Sequence, residues 1–103
     1  MSQGVPRAAR VSVRDGELLA GSARIPATYL ADPVALDADA TRRAIGVDSD
    51  ARAYLVIRPY LKQSVKVSVT DPADPTPYWL VSTRYPRRLA LALAEAIATS
   101  ATR

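Results

Sequence analysis

The chain has 103 residues, of which 49% are hydrophobic, and a formal net charge of +4. It contains no cysteine and no histidine, which excludes disulfides, thiol chemistry, zinc sites of the usual Cys/His kind and the commonest general base near neutral pH. The composition therefore predicts a single domain that is not an enzyme and uses no metal or cofactor.

The first ten residues, MSQGVPRAAR, lack the hydrophobic stretch of a secretion signal. No later apolar run reaches the roughly 18 residues that a membrane span needs. The sequence therefore predicts a soluble chain. We expect a disordered lead-in at residues 1–9, one domain at residues 10–99 and a disordered tail at residues 100–103.

The stretch RVSVRDGELLAGSARIP predicts a three-stranded antiparallel meander. Asp15-Gly16 separates two alternating runs and is typical of a two-residue hairpin turn with positive φ at both positions. This turn places Val13 opposite Leu18, and a second turn at Gly21-Ser22 places Leu18 opposite Ile25. One face of the meander is therefore expected to be apolar through all three strands.

Residues 27–36 predict an extended or irregular segment with a strand near residues 28–30. The stretch LDADATRRAIG carries an Asp at its start and Gly46 after its last apolar residue, which are the expected caps of a short helix. The stretch AYLVIRPY then predicts a strand that Pro59 ends.

The stretch SVKVSV alternates cleanly and predicts a strand with its valines inward. In the loop that follows, Asp71-Pro72 and Asp74-Pro75 are each typical of a type I turn. The alternative interpretation, a cation or acid/base pair, has too few ligands for calcium. YWLVSTR predicts the last strand, and Pro86 begins a helix over residues 86–99 with an apolar stripe that includes Leu89 and Leu93.

Both YWLV and YLVI have apolar residues on both faces, so we expect these two strands to be covered on both sides. The order of elements predicts an α+β fold: a small, strongly bent antiparallel sheet or barrel, similar to a pleckstrin-homology domain. One short internal helix and a C-terminal amphipathic helix complete it.

Basic side chains of this fold form a candidate site for an anionic partner, although a solvated surface is the alternative explanation. The candidate residues are Arg58, Lys62, Lys66, Arg84, Arg87 and Arg88. Further candidate partner contacts are Leu19, Tyr60 and Tyr78. Nucleic acid is the weaker partner, because no RNA- or DNA-binding motif is present.

A catalytic or small-ligand site would instead have to combine two basic side chains, one phenol and two carboxylates in a deep pocket. The candidates for that alternative are Arg58, Tyr60, Asp71, Asp74 and Arg84.

Three segments together resemble the actinobacterial proteins called domain of unknown function 3093, over about residues 11–93. They are VSVRDGELLAGSARIP, LDADATRRAIG and ARAYLVIRPYLKQSVKVSVTDPADPTPYWLVSTRYPRRLALAL. DPADPTPYWLVSTR, followed by a proline and an Arg-Leu pair, is the most specific piece. The resemblance implies two transmembrane helices ahead of such a domain and assigns no activity or site residues. This chain lacks those helices, which suggests a soluble part that starts after them or a variant without an anchor.

If an anchor precedes the domain, Arg7, Arg10 and Arg14 follow it, and basic residues beside a span favour the cytoplasmic side. The predicted function is a non-enzymatic binding or scaffold domain on the inner face of the plasma membrane, in contact with anionic lipid or an acidic protein. A homo-oligomeric module that buries the two-sided apolar strands is the second hypothesis, and a small-ligand protein or enzyme is the third.

Overall fold

The computed structural model describes residues 11–101, which form seven strands and two helices. Their bounds are β1 Val11–Arg14, β2 Glu17–Ala20, β3 Ala23–Pro26, β4 Leu30–Leu36, α1 Ala38–Ile45, β5 Tyr54–Val56, β6 Ser64–Val69, β7 Tyr78–Ser82 and α2 Pro86–Ala101. The predicted lead-in (with Arg7), the first residue of the predicted domain (Arg10) and the last two residues of the predicted tail lie outside the described residues. Residues 100 and 101, assigned to that tail, are helical because α2 continues two residues beyond its predicted end.

The predicted meander is confirmed residue by residue. β1 and β2 pair with Val13 opposite Leu18, and β2 and β3 pair with Leu18 opposite Ile25. Asp15 has a φ of 52° and Gly16 a φ of 75°, which are the positive values that a type I′ hairpin turn requires. Local alternation and turn chemistry are therefore sufficient to specify this sheet.

The second sheet has the strand order β4-β6-β7-β5 and differs from the prediction in two ways. First, β5 pairs with β7 in parallel, where an antiparallel sheet was predicted. The connection from β5 to β6 crosses the end of β7 and does not form a hairpin. Second, residues 27–29 form a 3-10 turn, and the strand predicted there begins only at Leu30 and continues to Leu36.

The main core lies between the two sheets and α2. Leu18 of the meander, Val67 of β6 and Leu93 of α2 are each fully buried and belong to one apolar cluster. A smaller cluster forms on the other face of the four-stranded sheet, where Leu80 packs with Tyr78 and Ala44 of α1. Helix α2 therefore covers one face of the four-stranded sheet, and α1 covers part of the other.

The two strands predicted to be covered on both faces differ. All five residues of β7 are buried, because β7 lies between β6 and β5. β5 is at the edge of the sheet, and its Tyr54 and Leu55 are exposed. The prediction is thus confirmed for β7 and wrong for β5, since the apolar pattern does not distinguish a central strand from an edge strand.

The mixed α+β class is confirmed, but both sheets are open. The single bent sheet or closed barrel of the prediction is replaced by a three-stranded and a four-stranded sheet. The similarity to a pleckstrin-homology domain stays a prediction. Within residues 11–101, no helix combines the length and apolar character needed to cross a bilayer.

The predicted caps and turns are confirmed. The side chain of Asp37 accepts a hydrogen bond from the backbone N–H of Ala40 at the start of α1, and Gly46 ends that helix. In the Asp-Pro loop, Asp71 accepts from the backbone N–H of Ala73 and Asp74 from that of Thr76, each at 2.9 Å. Both carboxylates are therefore used as turn acceptors.

Candidate anion-binding groove

Three connections of the chain meet at one end of the four-stranded sheet. Because β5 is parallel and β6 antiparallel to β7, the end of β5, the start of β6 and the end of β7 lie at the same sheet edge. The segment 57–63 crosses this edge, and the segment 83–85 leaves it toward α2. Residues that are far apart in the sequence are thereby brought together.

A tight turn positions Arg58 and Tyr60 at this edge. The backbone N–H of Leu61 donates to the carbonyl of Arg58 at 2.9 Å, and Pro59 occupies the second turn position, for which its fixed φ is suited. The backbone N–H of Arg58 donates to the Oγ of Ser82 at 3.0 Å. Its guanidinium Nη1 donates to the Tyr60 hydroxyl at 3.3 Å. The half-buried Arg58 is thus held to β7 through its backbone and to Tyr60 through its side chain.

The start of α2 positions Arg84 and Tyr85 beside that turn. The backbone N–H of Tyr85 donates to the Oγ1 of Thr83 at 3.1 Å, and the carbonyl of Tyr85 accepts from Leu89 at 3.0 Å. The guanidinium of Arg88 lies 5.0 Å from the centroid of the Tyr85 ring, a cation–π contact. Arg84 itself is exposed.

These segments and β1 enclose an open groove of about 480 Å³. We call it the arginine groove and define it by its charged and aromatic lining, which is Arg14, Arg58, Tyr60, Arg84 and Tyr85. No carboxylate lines it, and within residues 11–101 none of its three arginines forms an ion pair. Positive charge is therefore concentrated in a concave site without a compensating negative charge.

Four other arginines form ion pairs within the described residues, and none of the four lines the groove. These pairs are Arg24 with Glu17, Arg42 with Asp39, Arg43 with Asp48 and Arg52 with Asp50. In the last pair, the side-chain hydrogen bond from Arg52, together with its backbone N–H, lowers the pKa of the Asp50 carboxyl. The same side-chain hydrogen bond raises the pKa of Arg52. The arginines that form ion pairs within residues 11–101 are thus distinct from those that line the groove.

The predicted basic site is only partly brought together. Arg58 and Arg84 line the arginine groove, and Arg87 and Arg88 are exposed in the first turn of α2, next to it. Lys62 is exposed in the connection that crosses the sheet edge but does not line the groove.

Lys66 lies apart from this group, on the face of the sheet that α1 partly covers. Its Nζ lies 4.4 Å from the centroid of the Tyr78 ring. It also lines a cavity of about 380 Å³ with Asp37, Asp39 and Asp48. Because β6 alternates, Lys66 points away from the core face occupied by Val65 and Val67. The six predicted basic residues therefore do not form one surface.

The candidate partner contacts also separate. Tyr60 lines the groove and is 64% exposed. Leu19 is half-buried on the outer face of the meander, between Ser12 and Arg24. Tyr78 is buried under Lys66 and beside Leu80, so its ring is not available on the surface.

The alternative catalytic set does not converge. Arg58, Tyr60 and Arg84 line the groove, whereas Asp71 and Asp74 are turn residues of another loop and do not line it. Within the part of the chain that the structure describes, no group of three acidic side chains is placed to hold a metal ion.

The sequence interpretation missed Arg14 and Tyr85 as lining residues. Arg14 ends β1 in the other sheet and reaches the groove through the packing of the two sheets. Tyr85 directly follows Arg84 and precedes the helix-starting Pro86. An aromatic residue beside an arginine cluster at a helix start was the available signal for Tyr85. No local signal was available for Arg14.

A family model described as "Protein of unknown function (DUF3093)" matches residues 4–93. No curated protein and no solved structure is significantly similar to the chain.

Proposed function

The chain belongs to the DUF3093 family of proteins of unknown function, and we propose that it is a non-enzymatic binding domain that contacts an anionic membrane surface through the arginine groove. We further propose that its parent protein is anchored in the plasma membrane, with this domain on the cytoplasmic side. An acidic protein partner is the alternative occupant of the groove.

One observation carries this proposal. Three arginines from three separate segments, Arg14, Arg58 and Arg84, line one groove in which no described carboxylate neutralises them. Basic residues near an anionic leaflet each contribute about 1 kcal/mol to binding. Arg87 and Arg88, exposed in the adjacent turn of α2, extend the positive surface beyond the groove.

The exposed tyrosines of the groove favour a membrane surface, and not an acidic protein, as the partner. Tyr60 is 64% and Tyr85 57% exposed, and each combines an apolar ring with a polar hydroxyl. Side chains of this kind are enriched where a protein meets the bilayer interface. Leu91, exposed one turn after Arg87 and Arg88, would add apolar contact on the same side of α2.

The position of the groove is consistent with a preceding membrane anchor. Val11, the first described residue, lines the groove, so the chain enters the domain beside the basic side chains. An anchor ahead of this point would place the groove at the membrane-facing end of the domain. Reporter fusions to the full-length parent test this topology, and an extracellular signal from the domain would contradict it.

The composition of the groove supports binding without catalysis. Its lining has no carboxylate, and the sequence has no histidine or cysteine. Arginine stays protonated and is a poor general base. A bound anion would therefore be held electrostatically and released unchanged.

Co-sedimentation of the 103-residue chain with vesicles tests the proposal. We expect binding to vesicles in which part of the phosphatidylcholine is replaced by an anionic phospholipid, and a decrease as salt is raised. Equal binding to neutral and anionic vesicles, or binding to neither, would contradict membrane recognition. In the second case, capture of acidic peptides by the groove would support the protein alternative.

A second candidate function, a homo-oligomeric module, is favoured by one observation. Val34 and Leu55 are 47% and 42% exposed on the face of the four-stranded sheet that α1 covers only in part, in one row with Lys66 and Leu80. Analytical ultracentrifugation at micromolar concentration tests this function. A strict monomer would remove it.

A further inference from the structure

We infer that the arginine groove selects a phosphate monoester and does not respond to negative charge in general. This inference rests on the proposed function, because it names the ligand chemistry of the same groove. Its ligand is a group with a terminal phosphate, carried either by a lipid headgroup or by a soluble metabolite.

The donor geometry of the three arginines suits a phosphate group. A guanidinium offers donors in a planar fork that matches two oxygens of a phosphate, which an ammonium group does not. Arg58 uses Nη1 for the Tyr60 hydroxyl and keeps its other donors. Arg14 and Arg84 form no ion pair within residues 11–101. A terminal phosphate has three free oxygens, enough to accept from several arginines at once.

Two hydroxyl groups of the lining provide further hydrogen-bond donors. Ser82 Oγ already accepts from the backbone of Arg58, and Thr83 Oγ1 accepts from the backbone of Tyr85. Each hydroxyl therefore retains its own O–H for donation. Both line the groove with the arginines, so neutral donors complement the charged ones.

The volume of the groove and its positive charge limit the size and the charge of the ligand. The volume of about 480 Å³ lies within the range of sites for small molecules. This volume suits a single headgroup or small phosphate ester. A phosphate monoester carries a charge of about −1.5 to −2 at pH 7, whereas a diester in a lipid headgroup carries about −1. Three arginines in a groove that no described carboxylate lines favour the ligand with the higher charge density.

The chemistry also predicts a characteristic pH dependence. The second ionisation of a phosphate monoester has a pKa of about 6. The titratable groups that line the groove are Arg14 of β1, Arg58 and Tyr60 of the sheet-edge connection, and Arg84 and Tyr85 before α2. Within residues 11–101, no histidine, carboxyl or thiol lines the groove. Any loss of binding in that range therefore reports protonation of the ligand.

The main experiment compares vesicles that contain phosphatidic acid, a monoester, with vesicles that contain phosphatidylglycerol, a diester, at equal surface charge. We expect binding about tenfold tighter to phosphatidic acid, as additional charge-assisted hydrogen bonds would give. This preference should disappear as the pH is lowered from 7 to 5, while binding to phosphatidylglycerol stays constant. A preference that stays constant with pH would overturn the inference, and so would the absence of a preference at pH 7 together with no binding of a soluble phosphate monoester.

A second arm identifies the source of the phosphate. Glycerol 3-phosphate and inorganic phosphate are titrated into the isotopically labelled chain, and amide chemical shifts are followed by NMR. Shifts at residues 12–14, 58–61 and 82–85 would support a soluble ligand. The absence of shifts, together with selective binding to phosphatidic acid, would support the lipid headgroup.

Variants separate the inference from the proposed function. Arg84→Lys keeps the charge but removes the fork, so we expect it to bind phosphatidic acid and phosphatidylglycerol vesicles with equal affinity. Arg43→Lys, on α1, is the matched control and should retain the preference. If Arg84→Lys selects phosphatidic acid as well as the wild type does, the inference is wrong while the proposed function stands. If the wild type binds neither anionic vesicle, the proposed function fails.

Discussion

The arginines of the groove and those around α1 have opposite surroundings. Arg42 and Arg43 of α1 are paired with Asp39 and Asp48, and the adjacent cavity is lined mainly by carboxylates and basic groups together. The groove arginines form no ion pair within residues 11–101, and Glu17, the carboxylate opposite Arg14 on β2, is paired with Arg24. The comparison teaches that the net positive charge is not evenly distributed. The arginines of α1 are paired with carboxylates. The arginines of the groove, where the three connections meet, have no lining carboxylate within residues 11–101 to pair with.

The largest expected effect is on binding. The double variant Arg58→Gln/Arg84→Gln should weaken binding to anionic vesicles by about 30-fold, which corresponds to about 1 kcal/mol for each basic residue lost. The matched variant Arg42→Gln/Arg43→Gln removes the same charge from α1 and should change binding by less than about threefold through long-range electrostatics alone. Vesicle co-sedimentation measures both. Equal losses in the two variants would remove the distinction between the two regions.

The next effect is on stability and concerns the α1 side. The hydroxyls of Thr41 and Ser64 share a buried hydrogen bond of 2.8 Å between α1 and β6. Ser64→Ala leaves the Thr41 hydroxyl with only a long contact to the Leu36 carbonyl. It should lower the free energy of unfolding by about 1–2 kcal/mol. Urea denaturation measures this loss.

The groove provides the control for that measurement. Arg84→Gln removes an exposed side chain without an ion pair in the described residues, and the free energy of unfolding should change by no more than about 0.5 kcal/mol. A destabilisation as large as that of Ser64→Ala would show that the groove arginines have a structural role.

A smaller loss is expected from the cap of α1. Asp37→Ala removes the carboxylate that accepts from the Ala40 N–H at 2.8 Å and should cost about 1 kcal/mol of stability. Asp37→Asn retains an acceptor and is the control, so it should remain close to the wild type. Urea denaturation of both variants tests the cap, and equal losses would show that charge and not the hydrogen bond is responsible.

The smallest effect is the pH dependence of stability that comes from the Asp50 carboxyl, which is paired with Arg52. Hydrogen bonds from Arg52 lower the pKa of the Asp50 carboxyl in the folded state, so this pair contributes stability above the unfolded pKa and loses it as the pH falls through the folded one. The exposed pair is screened by solvent, and its contribution should be small. An NMR titration of the Asp50 carboxyl, with Asp50→Asn as the comparison for acid unfolding, measures it. A folded pKa at or above the ordinary value would contradict the pairing.

Several parts of the candidate site could not be predicted from local patterns. Arg58 and Arg84 were predicted as basic residues of the anionic site, and Tyr60 as a candidate partner contact. Lys66 was predicted to belong to the same basic site. The strand order instead places β7 between β5 and β6. The connection from β5 to β6 therefore passes Arg84 at the end of β7, whereas Lys66 lies on the face of the sheet that α1 partly covers.

The sequence by itself determined the features that depend on neighbouring residues. Asp15-Gly16 sets the meander register through backbone conformation, Asp37 and Gly46 delimit α1, and the apolar stripe of α2 directs one face of that helix to the core. Tertiary structure decided the parallel pairing of β5 with β7 and the approach of Arg14 to Arg58 and Arg84. The reason is physical: a period of two assigns each strand residue to a face, but which strand becomes its neighbour depends on the packing of the whole sheet.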